Sequence, residues 1–570
     1  MKKIWSDFLD DVYENYLIWG MVFSVMGALA LVLYYHGLHP EFFYNDTDCY
    51  MRALRIIDWL QDFQWNEKIF PYTNPPHGFV LHFTRINDVI WVLFSLPFMP
   101  FMSLKDAIFN GGLFFSPFFL VLSYVSILRG CYPFFQGLKI KNKSSVFLLN
   151  ILLVLFFLAK LSNVYDFNRP DHHSLMCAVF AFNCAVIMRC LTKVNLRQLF
   201  WSGVVSALGI WASSAIEGLV IIALILFVMC LNWLWGKWSI KTLIFYAMGL
   251  FLATTAAWLI NPPYGGYEVQ DINRLSLVQV ALTALILLSF IILTKIDDKS
   301  SWRKKLLFLS IVAMLSAVTM ILIFGTSTLF TSIYDPEVKK YFVVRINEMS
   351  TVIGYRFFYP SILIGLVLMT YLLRISKFRQ LYIWDIILLN LGSLALGSYI
   401  VRFFPYYLVA LCFMSVVFII IILQQKSKIS KICAFVFFII NIFYMFTFST
   451  YPERLQQPDL HGTVLTHLFD APYLIYYKNV DTVGSPYHTN IEGIIDNHRM
   501  FFTSDENELK FLLKKHHVDY IYLKSYEFEY YKDSDNNTDK LYGKILSGKN
   551  LYPWLENVED FTYKVNYDKF

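Results

Sequence analysis

The sequence predicts a polytopic α-helical membrane protein that ends in a soluble α/β domain. Of its 570 residues, 57% are hydrophobic and only 16% are charged, whereas soluble domains have about 25% charged residues. Aromatic residues make up 18%, as expected for membrane spans with interfacial belts of Tyr and Trp. The net charge of +6 arises from Lys and Arg in short loops between apolar runs. It therefore does not indicate binding of nucleic acid.

About thirteen apolar runs are long enough to cross a bilayer, at roughly 20 residues each. They lie near residues 14–37, 106–128, 145–162, 174–192, 198–214, 215–235, 240–261, 275–294, 304–324, 357–373, 381–399, 403–423 and 432–449. A further run, Ile86–Met102, is predicted to be an interfacial or re-entrant helix. With that assignment all the basic loops fall on one side of the membrane, which favours a cytoplasmic N-terminus and an external C-terminus.

This topology divides the chain into a transmembrane domain, 1–449, and a soluble extracytoplasmic domain, 450–570. The first external loop, 38–105, is long. Within the tail, Glu506–His517 has the pattern of a short amphipathic helix and Val518–Leu523 that of a strand. We expect a multi-pass protein of the bacterial inner (plasma) membrane.

The most informative stretch is Arg169–Ser174, which reads R-P-D-H-H-S between two apolar segments. An acid and two histidines are costly at the edge of a membrane, which favours a functional role. Asp171 and His173 are two positions apart and can face one cation. A carboxylate plus an imidazole suits Mn²⁺, Mg²⁺ or Zn²⁺. The alternative is that Asp171 only caps a helix, with the histidines facing lipid headgroups.

Three further polar features fall on the predicted external face. Asp46 and Asp48 follow the first span, where they could chelate a cation or cap a helix over Cys49–Phe63. Glu348 lies in the loop before the tenth span, where a solvated acid is the simpler interpretation. Arg402 lies at the external end of the twelfth span, just before residue 403, where it could snorkel or clamp a phosphate. None of these features alone identifies a functional site, but together they make a stronger case for one.

These residues resemble the motifs of the catalytic subunit of oligosaccharyltransferase, a GT-C-fold glycosyltransferase, of the archaeal and bacterial type. Asp46 to Arg52 keeps the spacing of the family's first-loop motif. Asp171-His172-His173 matches the second motif in the form frequent in archaeal members. Arg345–Glu348 matches the end of the third motif, and Arg402 resembles the arginine that meets the donor's pyrophosphate. The predicted spans and external tail also match, so the resemblance covers the whole chain.

The resemblance implies transfer of a sugar or oligosaccharide from a polyprenyl (pyro)phosphate carrier to an acceptor at the extracytoplasmic face. It implies Mn²⁺ or Mg²⁺ as cofactor. Metal ligands and catalytic residues would come from four side chains: Asp46, Asp171, His173 and Glu348. Glu348 would complete the metal shell or orient the nucleophile, as general base. Arg402 and Arg356 would contact the donor phosphate.

The acceptor motif of this family is altered here. The family's W-W-D-Y-G corresponds to Leu468–Tyr473, which keeps Asp470 and Tyr473 but not the two Trp or the Gly. This predicts a changed acceptor, which could be a glycan, a lipid or a different protein sequence. The nearby Gly484–Asn490, with His488, is polar and turn-rich and could line an acceptor or sugar pocket. An ordinary surface loop is the alternative.

Two other functions stay open at this point. One is a GT-C enzyme that uses a lipid monophosphate sugar as donor. The other is a secondary transporter, in which Glu217, inside an apolar segment, would be the membrane acid. The sequence has no internal repeat, and this argues against a transporter.

Overall fold

A computed structural model describes residues 15–38, 44, 46–136, 164–213, 215–330, 335–342, 351, 359–374, 382–424, 459–523, 540–549, 551–559 and 561–570. The predicted spans at 145–162 and 432–449 lie outside these residues. So do Glu348, Arg356 and the predicted domain boundary at 449/450.

The first three quarters of the described chain are helical, apart from one short antiparallel hairpin of β1 (Ile69–Phe70) and β2 (Phe79–Val80). The helices are α1 (Tyr16–Leu38), α2 (Thr47–Asp62), α3 (Arg85–Ser95), α4 (Leu104–Gln136), α5 (His172–Cys190), α6 (Leu196–Ala212), α7 (Ala215–Leu234), α8 (Ile240–Ile260), α9 (Leu277–Leu293), α10 (Trp302–Phe330), α11 (Pro336–Tyr341), α12 (Tyr359–Arg374), α13 (Tyr382–Tyr399) and α14 (Phe404–Gln424). Every predicted span that falls on described residues coincides with one of them.

The remainder is a mixed α/β region, as predicted. Its elements are β3 (Thr463–Leu465), α15 (Ala471–Lys478), β4 (Asp481–Thr482), α16 (Ile491–Phe502), α17 (Glu506–Lys515), β5 (Val518–Tyr522), α18 (Leu541–Ser547), β6 (Leu555–Glu559) and β7 (Thr562–Val565). The predicted amphipathic helix and the strand after it are confirmed as α17 and β5.

Within the described residues, six helices are long and apolar enough to cross a membrane. These segments are Leu104–Pro133, His172–Cys190, Ile216–Leu234, Ile240–Ile260, Trp302–Leu329 and Val401–Phe418. The chain is therefore an integral membrane protein, while the count of thirteen spans stays a prediction. Helix α3, in the run predicted to be interfacial or re-entrant, has 11 residues and is about 16 Å long, which is too short to span a bilayer.

The chain folds into two compact units, here called the membrane unit and the tail unit. The membrane unit takes residues from 1–43, 83–331 and 348–450, and the tail unit takes residues from 44–82, 332–347 and 451–570. Thus the first long loop contributes to the unit that contains the C-terminal region.

Small and polar residues join the helices of the membrane unit. A Cβ on Gly203 of α6 would lie 2.0 Å from the Tyr246 carbonyl oxygen of α8, so only glycine permits this approach. Asn183 of α5 accepts hydrogen bonds from Ser202 and Ser206 of α6, at 2.5 and 3.0 Å. Such contacts replace the hydrophobic driving force that lipid cannot supply between helices.

A five-stranded sheet forms the centre of the tail unit. The strand order is β4-β3-β5-β7-β6, with β4, β3 and β5 parallel and β7 and β6 antiparallel to their neighbours. The first long loop extends the β4 edge, because the Asn74 backbone N–H donates to the Thr482 carbonyl at 2.9 Å and Thr482 donates to Tyr72 at 3.0 Å. These bonds make the loop part of this unit.

Candidate functional site

The D-H-H motif forms the beginning of α5. Asp171 is the N-cap residue, with extended backbone angles, and its Oδ1 accepts from the His172 backbone N–H at 2.6 Å. The predicted cap is thus confirmed, but the two histidines are buried and do not face lipid headgroups. The cap does not exclude a functional role, because it fixes a buried carboxylate beside two buried histidines.

The two imidazoles lie around the Asp171 carboxylate. His172 Nδ1 is hydrogen-bonded to Oδ1, and His173 Nε2 is 3.5 Å from Oδ2. One ligand atom from each of the three residues lies within 4.8 Å of the others, so the cluster could hold a metal ion. The pairing of Asp171 with His173 is as predicted, and His172 joins them. One carboxylate and two imidazoles fit Mn²⁺ or Zn²⁺ better than Mg²⁺, which prefers oxygen ligands.

Glu217, in the first turn of α7, contacts the other nitrogen of each ring. Its Oε2 is 3.4 Å from His172 Nε2, and its Oε1 is 3.4 Å from His173 Nδ1. In the sequence, Glu217 was a candidate only for the transporter alternative, and its contacts with the D-H-H motif were not predicted. The available signal was a carboxylate within an apolar segment, which is rare without a function.

Arg402 completes the cluster from a short 3₁₀ turn before α14. Its Nη2 lies 3.2 Å from Glu217 Oε2 and 2.9 Å from His172 Nε2. Tyr406, one turn further on, donates to Glu217 Oε1. The structure therefore places Arg402 with the D-H-H motif, as the prediction required, and pairs it with an acid that the prediction did not include.

A tight helical hairpin sets the position of Glu217. A Cβ on Gly218 would lie 2.8 Å from the Ile210 backbone nitrogen, so α7 can fold back closely on α6 only with glycine at this position. Asn261 Oδ1 accepts from Trp211 Nε1 at 3.1 Å and from the Arg85 backbone at 2.9 Å. These bonds hold the helix ends near the hairpin turn.

The opposite end of α7 carries a basic loop. Lys237 Nζ lies 3.8 Å from Asp385 Oδ2, and Asn232 donates to Asp385 Oδ1 at 2.9 Å. Burial lowers the pKa of Lys237, and the Asp385 charge opposes that shift. A helix of 20 residues is about 30 Å long, so Glu217 and Lys237 lie at opposite ends of a membrane-length helix. That the candidate site and the basic loops lie on opposite sides of a membrane stays a prediction.

In the tail unit, the first-loop motif contacts the Gly484–Asn490 stretch. Asp46 caps α2 and accepts from the Asp48 backbone at 3.0 Å. Burial raises the pKa of Tyr487, and the charge of the nearby Asp48 raises it further, while the charge of Arg52 opposes the shift. The structure therefore brings together two polar stretches about 440 residues apart in the sequence. The buried Tyr487 also shows that Gly484–Asn490 is not an ordinary surface loop.

The three acceptor candidates lie in this same unit. Asp470 is buried at the N-terminus of α15. The Tyr473 ring meets the Tyr50 ring edge-on at 5.5 Å, and the His488 ring lies 4.8 Å from that of His82. Their role in binding an acceptor stays a prediction.

Metal ligation by Asp46 also stays a prediction. Asp46 belongs to the tail unit, whereas Asp171 and His173 belong to the membrane unit. Glu348 and Arg356, predicted to bind metal and donor phosphate, lie outside the described residues.

A buried ionic cluster also ties the first loop to the tail unit. His516 Nε2 and Lys515 Nζ contact Asp496 Oδ2 at 2.8 and 2.6 Å, and His516 Nδ1 contacts the Pro75 carbonyl at 2.8 Å. Burial acts to raise the pKa of Asp496, but the hydrogen bonds from His516 and Lys515 outweigh it and lower the pKa. The ionised carboxylate thus stabilises the folded state.

We expect Asp496→Asn to lower the unfolding free energy by about 2 kcal/mol at neutral pH, because a hydrogen-bonded charge is lost. The folded-state pKa is below the unfolded one, so the contribution is present above about pH 4 and disappears as the pH falls further. Thermal unfolding of the detergent-solubilised full chain between pH 3 and 8 would measure this. Glu556→Gln is the control, since an exposed ion pair contributes little. An equal loss of stability at all pH values would contradict the prediction.

The sequence matches no protein-family model, and no curated protein sequence is significantly similar to it. Solved structures are similar in fold. Archaeal oligosaccharyltransferase AglB from Archaeoglobus fulgidus, in complex with an inhibitory peptide and a dolichol-phosphate, matches with a TM-score of 0.64 and 12% identity over 95% of this chain and 79% of that one.

Two further structures of the Archaeoglobus fulgidus enzyme match at 13% identity. The complex with Zn and sulfate has a TM-score of 0.63 over 92% of this chain and 70% of that one. The form tethered to an acceptor peptide containing the NVT sequon has a TM-score of 0.64 over 98% and 74%. The chain therefore has an oligosaccharyltransferase-like GT-C fold, as its motifs predicted.

Proposed function

We propose that this protein is a metal-dependent glycosyltransferase that moves a sugar or oligosaccharide from a polyprenyl (pyro)phosphate carrier to an acceptor. The observation that carries the proposal is the buried Asp171-His172-His173 cluster, which contacts Glu217 and Arg402 within an oligosaccharyltransferase-like fold. Similar structures contain a dolichol-phosphate, Zn with sulfate, or an acceptor peptide. These ligands support a phosphorylated lipid donor and a metal for this chain too.

The donor set of this chain fits a divalent cation. Asp171 supplies a carboxylate oxygen, and His172 and His173 each present a ring nitrogen to it. A bound cation would neutralise phosphate charge as the carrier leaves. Asp46 and Glu348 are proposed as further ligands, with Glu348 also orienting the nucleophile.

Arg402 would contact the donor phosphate from the same cluster. Its guanidinium is held by Glu217, and its side chain keeps 20% exposure, so donors remain accessible to a phosphate. A planar guanidinium suits bidentate binding of phosphate oxygens. Arg356 is proposed as a second phosphate contact.

The arrangement in the membrane follows the charge pattern. We propose that the cluster and the tail face the outside of a bacterial plasma membrane, with residues 1–449 as the catalytic domain and 450–570 as the soluble one. The Glu217 contacts favour a transferase over a transporter, because this acid is paired with the proposed phosphate-binding arginine.

A transfer assay tests the proposal. Purified protein in lipid nanodiscs is incubated with Asn-x-Thr and Asn-x-Ala peptides as acceptors. The donor is a polyprenyl-pyrophosphate-linked glycan or, in parallel, a polyprenyl-monophosphate-linked sugar. We expect release of the lipid phosphate, its loss with EDTA, and its return with Mn²⁺. Release that persists in EDTA, or no release from either donor with Mn²⁺ present, would refute the proposed function. Mass spectrometry of lipids that co-purify with the protein would identify the donor.

A further inference from the structure

We propose that Glu217 is the positioning residue of this site: one carboxylate that orients both histidines towards Asp171 and also holds Arg402. The inference rests on the proposed metal-dependent function and extends it to a residue outside the three oligosaccharyltransferase-like motifs. It follows from the geometry on both sides of the two imidazole rings.

Each histidine lies between two carboxylates. His172 directs Nδ1 to Asp171 and Nε2 to Glu217, whereas His173 directs Nε2 to Asp171 and Nδ1 to Glu217. The nitrogens facing Asp171 thus share one side of the pair, and those facing Glu217 share the other. A histidine that binds metal through one nitrogen usually donates its other N–H to a carboxylate, which fixes the ring. Glu217 is placed to accept from both rings at once.

The contact with Arg402 favours one tautomer of His172 when no metal is bound. A guanidinium only donates, so His172 Nε2, 2.9 Å from Arg402 Nη2, must accept. The proton of His172 then lies on Nδ1 and is donated to Asp171. Ligation through Nδ1 requires that proton on Nε2 instead, where Glu217 Oε2 at 3.4 Å is the available acceptor. In that tautomer Nε2–H and the Arg402 N–H both donate, so Arg402 must turn its donor away from Nε2 and towards Glu217, which accepts from both groups.

The charge balance gives Glu217 a second contribution. The cluster contains two buried carboxylates, Asp171 and Glu217, and two partly exposed guanidinium groups, Arg402 and Arg169, the last 3.9 Å from Asp171. Without Glu217, the positive charges of a divalent cation and two arginines would be balanced by only one of these carboxylates, Asp171. Unbalanced charge is costly at a buried site, so the loss of Glu217 would disfavour cation binding.

Glu217→Gln is the direct test. An amide has only one acceptor oxygen, and its NH₂ group would face neighbours that also donate. It therefore cannot accept hydrogen bonds from both histidine rings, Arg402 and Tyr406 at once. We expect the affinity for Mn²⁺ to fall about 10- to 100-fold, as for other partners of metal-binding histidines. The affinity is measured by EPR of free Mn²⁺ during titration of the purified full chain. The ¹⁴N coupling of bound Mn²⁺ should weaken as histidine ligation is lost.

Asp385→Asn is the matched control. It removes another buried, ion-paired carboxylate from the same unit, beside Lys237 at the opposite end of α7. Its Mn²⁺ affinity should equal that of the wild type. A general effect of losing a buried charge would lower the affinity of both variants equally, and that result would overturn the proposal.

A second variant tests the proposal in case Glu217→Gln does not fold. Glu217→Asp keeps the charge but retracts the oxygens by roughly 1.5 Å, one carbon–carbon bond. We expect a several-fold loss of Mn²⁺ affinity at unchanged melting temperature. Wild-type affinity in both variants, with no binding by Asp171→Asn, would refute the role of Glu217 and leave the proposed function intact. Absence of Mn²⁺ binding by the wild type would instead refute the metal-dependent function, and the role of Glu217 with it.

Discussion

Asp171→Asn is expected to abolish Mn²⁺ binding and to slow glycosyl transfer by at least about a thousandfold. The magnitude follows from a metal contribution of about 4 kcal/mol to stabilisation of the leaving phosphate, at 1.36 kcal/mol per factor of ten. Asparagine keeps the shape and removes the negative charge that both histidines surround. Transfer and Mn²⁺ binding are measured on the same nanodisc preparation.

The substitution separates the two roles of Asp171. Asparagine is as good an N-cap as aspartate, so α5 should form, and the melting temperature should fall only by the small amount expected when a hydrogen-bonded charge is lost. Asp505→Asn is the control, because Asp505 caps α17 in the tail unit through the same kind of hydrogen bond, 2.8 Å to the Asn507 backbone. Full transfer by Asp171→Asn would show that the motif only caps the helix.

Much of the helical fold follows from the sequence, because long apolar runs leave the backbone few alternatives in lipid. The tail was more difficult to predict. Its α17 and β5 have clear patterns, but β3 and β4 are only three and two residues long. Such short strands carry no periodicity, and the sheet that joins them depends on contacts distant in sequence.

The proximity of candidate residues was predicted where they share one motif and missed where they are far apart in sequence. Asp171 and His173 are close together in the sequence, and their chemical type and position at a membrane edge were sufficient to make them candidates. Glu217 stands alone in its segment, and nothing local relates it to residue 172 or 402. Its role depends on the hairpin of α6 and α7, which brings its first turn to the histidines. An isolated acid in an apolar helix therefore indicates a function but does not identify its partners.

The first-loop motif gives a similar lesson. The capping interpretation of Asp46 is confirmed, yet the same segment contacts Tyr487 through Asp48. A helix cap and a functional site are not alternatives, because the cap holds a carboxylate in one orientation. Capping geometry therefore gives no reason to discard a candidate ligand.

The acceptor specificity should differ from that of enzymes that read a sequon hydroxyl. In Leu468–Tyr473 two indoles of the family motif are replaced by Leu468 and Phe469, whose side chains have no hydrogen-bond donor. Phe469 instead packs against the Phe342 ring at 5.7 Å and the His467 ring at 5.6 Å. We expect the transfer rates for Asn-x-Thr and Asn-x-Ala peptides to differ by less than about 100-fold, because an apolar pocket discriminates weakly for a hydroxyl.

The measurement is a competition assay with both peptides and one lipid-linked glycan. A Gln-x-Thr peptide is the control. It lacks the asparagine, so any modification of it would occur at another site. A site built to hydrogen-bond the hydroxyl would reject the alanine peptide by a factor of about 10⁴, since its buried polar groups would be left unpaired. Efficient transfer to Asn-x-Thr with none to Asn-x-Ala would therefore contradict the prediction. In that case Asp470 and Tyr473, which the motif retains, would have to supply the recognition without the indoles.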